Sequence, residues 1–259
     1  MSEQIEKDKI YNCDCLEGMK HIPNASIDAI ICDLPYGTTS CTWDSVIPFD
    51  QLWAEYKRIV KPNAPIVLFG QEPFSTLLRM SNFQNYKYDW IWDKQFGGNF
   101  VNAKFQPIKT HELVSVFCYG TTNYYPQMLK RKEPIKQGGN GQKEGKAVRL
   151  AINKHTEEFG KLHKVYDEKF PDSQLHFSVR DDVADHFHPT QKPVDLLRYL
   201  IRTYSNEGET ILDNCMGSGT TAVACIKEKR HFIGFELNKD YYDKACRRID
   251  AERRQLSLF

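Results

Sequence analysis

The sequence predicts an α/β domain: a mostly parallel sheet with helices on both faces. Three observations carry that prediction. Short continuous apolar runs alternate with amphipathic helical patterns through much of the chain. Near the C-terminus a strand pattern runs into a glycine-rich loop, then a helix, then a second strand that ends in an acid. In the N-terminal half an acidic turn, Asp33-Leu34-Pro35-Tyr36-Gly37, follows directly on an apolar run.

Taken in order, Ile27–Cys32 (IDAIIC) is a continuous apolar run that reads as a buried strand, broken by Pro35 and Gly37. Phe49–Val60 sets Leu52, Tyr56 and Ile59 at helical spacing, and Lys61-Pro62-Asn63 stops that helix. Pro65–Phe69 (PIVLF) is a second buried strand, with Gly70 after it. Tyr88–Trp92 and Leu113–Cys118 read as two more, and the alternating Tyr88, Trp90 and Trp92 read as packing residues. Strands separated by helices imply parallel pairing with both faces covered. Composition shifts near Gly120, and segment 120–185 has little strand–helix rhythm, so it reads as an insertion into a core made of 1–119 and 186–259. Regular pattern resumes with a helix over Pro193–Tyr204, a strand over Thr210–Asp213, a helix after Gly219, a strand over His231–Glu236 and a helix from Lys239 to about Arg254.

Length and composition bound the function classes. The 259 residues, 41% hydrophobic and 27% charged, support one large core and exclude global disorder. A formal net charge of +1 argues neither for nor against a polyanionic partner, so any nucleic-acid footprint must be local. The candidate lies in the insertion. Between Met128 and Arg149 the bases are Lys130, Arg131, Lys132, Lys136, Lys143, Lys146 and Arg149, against the acids Glu133 and Glu144. Gly138-Gly139-Asn140-Gly141 in its midst reads as a mobile loop. Such a run can be an ordinary solvated face, but a DNA-phosphate-contacting role through Lys130, Arg131 and Lys132 is the favoured reading.

The eight cysteines form no C-x-x-C pair, and His155, His163, His176, His186 and His188 lack ligand spacing, so neither a metal site nor a disulfide framework is expected. The N-terminus is polar, and no apolar run approaches a membrane span, so a soluble protein with reduced thiols in a cytoplasm is expected. None of the twelve prolines precedes a cysteine, which sets aside chemistry based on a Pro-Cys thiol nucleophile.

The strand TILD (Thr210–Asp213) leads into Asn214-Cys215-Met216-Gly217-Ser218-Gly219-Thr220-Thr221-Ala222. Glycines there let the backbone approach a ligand, and the following helix N-terminus offers free N–H groups to an anion. Glu236, at the end of the next strand, suits a ribose diol. An adenosine-type cofactor satisfies all three features. Gly217-x-Gly219-x-x-Ala222 also meets the dinucleotide fingerprint, so a nicotinamide-dependent oxidoreductase competes. Against it, only one helix follows Glu236, and two threonine hydroxyls stand where a pyrophosphate needs bare backbone.

Asp33-Leu34-Pro35-Tyr36 sits where open α/β sheets bind ligands, at the C-terminal end of a strand. An ordinary Asp-x-Pro turn is the bland alternative. The residue types also suit an aromatic amine, whose nitrogen is a weak nucleophile because its lone pair is delocalised. A carboxylate and a neighbouring carbonyl can each accept one N–H and hold that nitrogen toward tetrahedral geometry. Pro35 stiffens the loop, and Tyr36 can stack on a base turned out of a duplex.

Together the two motifs resemble those of the β-class DNA amino-methyltransferases, in which a D-P-P-Y-type loop precedes the cofactor loop in a circularly permuted order. The resemblance covers the chain apart from 120–185, which corresponds to the family's target-recognition insertion. It implies a Rossmann-like methyltransferase fold, S-adenosylmethionine as cofactor, and methylation of a flipped-out base in DNA with no covalent enzyme intermediate. It implies that Asp33, Leu34, Pro35 and Tyr36 hold the target. The cofactor contacts it implies are Asp213, Gly217, Ser218, Gly219, Thr220, Thr221 and Glu236, with Asp33 beside them. Ile10-Tyr-Asn-Cys-Asp14 resembles the family's opening strand, which places Asp14 at the adenine end. His188-Pro-Thr-Gln-Lys192-Pro193 resembles the segment before the cofactor loop, which places Lys192 with the cofactor. Leu34 stands where the family has its first proline, and Asn214-Cys215 where it often has Pro-Phe. Asp33, rather than serine, is the form associated with adenine N6. Cytosine N4, an RNA or protein-amide target, and a non-catalytic DNA-binding module stay open at this point. So do homodimerisation, a partner nuclease and the recognition sequence.

Overall fold

The computed structural model describes residues 5–37, 45–98, 100–137, 164–179 and 191–256. The chain packs as two units, Met1–Tyr125 with Asp172–Phe259, and Pro126–Pro171.

The larger unit opens with β1 (Lys9–Tyr11), α1 (Cys15–Met19), β2 (Ala29–Cys32), α2 (Phe49–Ile59), β3 (Ile66–Gly70), α3 (Phe74–Ser81), β4 (Tyr86–Gly98) and β5 (Lys109–Phe117). The smaller unit holds β6 (Leu129–Gln137) and β7 (Lys164–Lys169), which pair antiparallel. The larger unit then resumes with β8 (Gln174–His176), α4 (Val194–Tyr204), β9 (Thr210–Asp213), α5 (Thr220–Lys227), β10 (His231–Phe235) and α6 (Lys239–Leu256).

Its eight-stranded sheet runs β1-β10-β9-β2-β3-β5-β4-β8. Pairing is parallel from β1 across to β3. Alternation along the short central strands feeds two cores. Ala29 and Ile31 of β2 join Val67 and Phe69 of β3 beneath α4, α5 and α6, with Leu200, Ile201, Ala224 and Ala245 fully buried. Ile30 and Cys32 face the opposite side with Ile66 and Leu68, under α1, α2 and α3. Helices therefore cover both faces, as the sequence pattern requires.

The mostly parallel sheet has an antiparallel part. β5 runs antiparallel to both β3 and β4, because β4 and β5 are joined without a helix that could return the chain for parallel pairing. Within 120–185 the described residues hold three strands, β6, β7 and β8, and no helix. β6 (LKRKEPIKQ) is so charged, and so interrupted by Pro134, that no apolar alternation marks it. The glycine-rich stretch 138–141 lies outside the described residues, as do Cys41, His155, His163, His186 and His188. His176 pairs with Asp93 at 3.1 Å.

Trp90 and Trp92 are buried. Trp90 Nε1 donates to the Tyr204 hydroxyl at 2.5 Å and Trp92 Nε1 to the Phe177 carbonyl at 2.9 Å, so both indole N–H groups are satisfied. The seven described cysteines are free thiols. Among the described residues no helix is long and apolar enough to cross a membrane, and no three His, Cys, Asp or Glu side chains are grouped to hold a metal ion.

Candidate active site

β9 and β2 are neighbours, with Ala29 opposite Ile211 and Ile30 opposite Leu212. From β9 the chain crosses to β10 on one side, and from β2 to β3 on the other. The sheet order therefore reverses between them, and the loops leaving their C-terminal ends open a crevice there. One loop begins at Asp33 and the other at Asp213-Asn214. A cavity of about 740 Å³ occupies this place, and both loops line it. Two motifs far apart in sequence thus become one site. At the foot of the same strands the Thr210 N–H donates to Asp28 Oδ2 at 2.9 Å, across 182 residues of chain.

The glycine loop is held in shape from within. Gly217 and Gly219 adopt φ of 53° and 76°, a region that costs L side chains energy and glycine nothing. A Cβ on Gly219 would lie 3.1 Å from the Ala245 Cβ of α6. The Gly217 N–H and the Asn238 N–H each donate to the Glu236 carboxylate at 2.8 Å. Those bonds aim the carboxylate along the cavity wall. Burial raises its pKa, and the two N–H groups act against that rise. Asp213 accepts from the Thr221 hydroxyl at 2.6 Å and the Cys215 N–H at 3.1 Å. Burial nonetheless pushes its carboxyl up to about 6. Asn214 accepts a hydrogen bond from Tyr56 of α2 at 2.5 Å, which ties the loop to the opposite helical layer.

On the other side of the crevice Asp33 is held by two donors. The Tyr36 hydroxyl donates to Oδ1 at 2.6 Å, and the Lys192 ammonium to Oδ2 at 2.6 Å. The Tyr36 ring also packs against Phe74, with centroids 5.0 Å apart. Burial raises the Asp33 pKa, and Lys192 only partly offsets it. Behind Lys192 stands a second carboxylate, Glu112 of β5, with Oε2 3.3 Å from the same ammonium. Gln71 Nε2 donates to Glu112 Oε1 at 2.9 Å, and Lys94 pairs with Oε1 at 3.2 Å. Burial works to raise Glu112, but Lys192, Lys94 and Gln71 prevail and hold it below the usual range.

Of the residues singled out from sequence, the cavity wall includes Asp14, Asp33, Leu34, Pro35, Tyr36, Lys192, Asp213, Gly217, Ser218, Thr220, Thr221 and Glu236. Gly219 lies behind it, as the N-cap of α5. Asp14 does not end a strand. It is the N-cap of α1, and its Oδ1 accepts from the N–H groups of Leu16 and Glu17. Lys192 reaches Asp33 rather than the glycine loop. Lys130, Arg131 and Lys132 lie on β6 of the smaller unit, where Lys130 and Lys132 are exposed and Arg131 Nε donates to the Glu168 carbonyl at 3.0 Å. Glu112, Lys94, Gln71 and Trp92 also line the cavity and were not anticipated as site residues. The one available signal was an acid, Glu112, at the start of an otherwise apolar strand pattern.

The N6/N4 family model described as DNA methylase matches residues 27–247. The Moraxella bovis type II methyltransferase M1.MboII is 27% identical over 271 aligned residues, covering 93% of this chain and 96% of that protein. The Haemophilus parainfluenzae type II methyltransferase M.HpaI is 26% identical, covering 92% of this chain and 73% of that protein. Among solved structures, M1.HpyAVI with SAM superposes with a TM-score of 0.60 at 24% identity, covering 93% and 98% of the two chains. The cytosine-N4-specific PvuII DNA methyltransferase superposes with a TM-score of 0.63 at 14% identity, covering 94% and 86%. The chain belongs to the N6/N4 DNA methylase family.

Proposed function

We propose that this DNA methylase transfers a methyl group from S-adenosylmethionine to the N6 amino group of adenine at specific DNA sites. The observation that carries the reading is the half-buried Asp33 carboxylate, set at the sheet's switch point in one cavity with the glycine loop and Glu236. The residues present fit the cofactor. The cavity volume suits a nucleoside-sized ligand. Gly217 puts no side chain in the way, and Gly219 lets α5 start behind it. Glu236 offers a fixed acceptor for a ribose diol, and Asp213 a carboxylate for the ammonium of the amino-acid end.

When bound, S-adenosylmethionine supplies an electrophilic methyl group. The protein's part is to prepare the nitrogen. The Asp33 carboxylate and the Leu34 carbonyl each accept one N–H of the flipped base and turn its lone pair outward. Tyr36 offers a ring for stacking. As positive charge builds on the attacking nitrogen, Asp33 stabilises it. The type II relatives support a site-specific modification role. Label from S-adenosylmethionine should appear in N6-methyladenine when treated DNA is digested to nucleosides. A product confined to N4-methylcytosine would keep the mechanism and overturn the choice of base.

Cofactor binding should depend on pH through Asp213. Free Asp213 holds its proton up to about pH 6 because burial penalises the carboxylate. A cationic ligand favours the ionised form, so cofactor binding near that pH should release a proton, and affinity should rise with pH before levelling above it. Calorimetry in two buffers of different ionisation heat checks this; identical heats near pH 6 would remove Asp213 from the cationic end.

DNA binding should depend on salt through β6. Replacing Lys130, Arg131 and Lys132 with alanine should weaken it evenly across sequences, lowering the salt slope by up to about 0.9 for each phosphate no longer neutralised. Arg131 already gives one N–H to the Glu168 carbonyl, so Lys130 and Lys132 should carry more of the effect. Cofactor affinity should be unchanged. An unaltered salt slope would leave this strand a solvated face.

A further inference from the structure

We propose that Glu112 is a positioning residue: it takes the Lys192 ammonium from Asp33 when the target amino group arrives, and so leaves Asp33 Oδ2 free to accept an N–H. The inference rests on the reading of Asp33 given above and adds a residue to it.

The geometry of the free protein poses the problem that such an exchange solves. Asp33 is engaged on both oxygens, by Tyr36 at 2.6 Å and by Lys192 at 2.6 Å. A carboxylate already neutralised by an ammonium is a poor stabiliser of a second cation at the attacking nitrogen. Lys192 has somewhere to go. Its Nζ lies only 3.3 Å from Glu112 Oε2, and that buried oxygen makes no hydrogen bond among the described residues. A movement of well under 1 Å would bring the pair to hydrogen-bond distance. The ammonium also sits over two aromatic rings, 5.2 Å from the Phe69 centroid and 5.9 Å from that of Trp92. Attraction to a ring face has little directional demand, so the ammonium can shift between the carboxylates without leaving its floor.

Charge favours the exchange as well. Two carboxylates, Asp33 and Glu112, share two ammoniums, Lys192 and Lys94. With Lys192 on Glu112, both ammoniums serve one acid, and Asp33 keeps a full negative charge for the nitrogen. Of the two acids Glu112 is the better-held anion, lowered by Lys192 and Lys94 against its burial, whereas burial leaves Asp33 raised. Lys192 stays charged throughout: burial would lower it, but Asp33 and Glu112 together hold it above its usual range.

The groups that bear on Asp33 are Lys192, Glu112 and Tyr36, with Lys94 behind Glu112, Cys32 of β2 just before Asp33, and the Asp213 side chain across the crevice. Glu112→Gln removes the negative charge that raises Asp33 and that would draw the Lys192 ammonium away, leaving only a neutral amide acceptor. The Asp33 carboxyl carbon, assigned by loss of its resonance in Asp33→Asn, should then titrate at lower pH than in the wild type, read by carbon NMR of the free protein. Turnover should fall by roughly tenfold or more, with the acid limb of its pH profile moved to lower pH, while S-adenosylmethionine affinity and the melting temperature stay close to wild type. Adding Lys192→Met to Glu112→Gln should restore part of the lost turnover, because the clamp on Asp33 is gone. Wild-type turnover in Glu112→Gln, or a loss of turnover with no shift in the Asp33 titration, would overturn the exchange. Asp33→Ala run beside it separates the two claims. If Asp33→Ala is inactive and Glu112→Gln is not impaired, only Glu112's role falls; if Asp33→Ala is active, the reading of Asp33 falls first.

Discussion

Replacing Asp33 with alanine is expected to lower turnover by about a hundred- to a thousandfold, the usual consequence of removing one preorganised electrostatic group, while S-adenosylmethionine affinity changes little. The asymmetry follows from when the interaction matters. In the ground state the target nitrogen is neutral, and Asp33 contributes one hydrogen bond among several. In the transition state the nitrogen carries positive charge and Asp33 is its nearest anion, so the lost interaction is strongest where it governs rate. The fold should survive, because Lys192 keeps Glu112 as a partner at 3.3 Å. Asp33→Asn should be less damaging than alanine, since the amide oxygen still accepts one N–H. Tyr36→Ala should weaken capture of the base by the stacking share, about 1–3 kcal/mol, and Tyr36→Phe much less, although it also frees Asp33 Oδ1 of a donor. Methyl incorporation under single-turnover conditions, with both substrates saturating, reads the effect. Wild-type rates in Asp33→Ala would remove Asp33 from the chemistry.

Replacing Glu236 with alanine should weaken S-adenosylmethionine binding by roughly ten- to a hundredfold, the worth of a charged hydrogen bond of about 1.5–3 kcal/mol. Here the side chain has two tasks. It faces the cavity, and it accepts the Gly217 and Asn238 N–H groups that shape the glycine loop and the turn after β10. Glu236→Gln keeps an acceptor for one of those N–H groups but loses the charge, so it should fall between wild type and alanine. Asp14 should respond in the same direction, although alanine there also removes the cap of α1. Isothermal calorimetry on the folded variants decides this; unchanged affinity in Glu236→Ala would place the ribose elsewhere.

The acids at strand ends were the most legible part of the site. Asp33, Asp213 and Glu236 each follow a short apolar run, and in an open α/β sheet that position is the ligand-binding edge. The sheet's core was legible for the same reason: β2 and β3 are buried on both faces and read as continuous apolar segments, and β9 and β10 carry short apolar cores directly before their terminal acids. What remained hidden depends on interactions between distant segments. Lys192 could be placed near the site from its motif, but its direction toward Asp33, 159 residues away, is fixed only by how α4 packs over the sheet. Glu112 sits on β5, whose antiparallel register with β3 and β4 aims it at Gln71 and Lys94, and no local pattern encodes that register. α3 was missed because exposed Leu77 and Met80 blur the apolar stripe marked by Phe74 and Leu78.

On the proposed mechanism, catalysis depends on the loop after β2 and the loop after β9 forming one crevice. A crystal structure of the protein with bound S-adenosylmethionine tests that most directly. The ribose is expected on the Glu236 carboxylate, the amino-acid end beside Asp213, and the methyl group turned toward Asp33 and the Leu34 carbonyl. A cofactor bound outside this cavity, or one whose methyl group points away from Asp33, would contradict it.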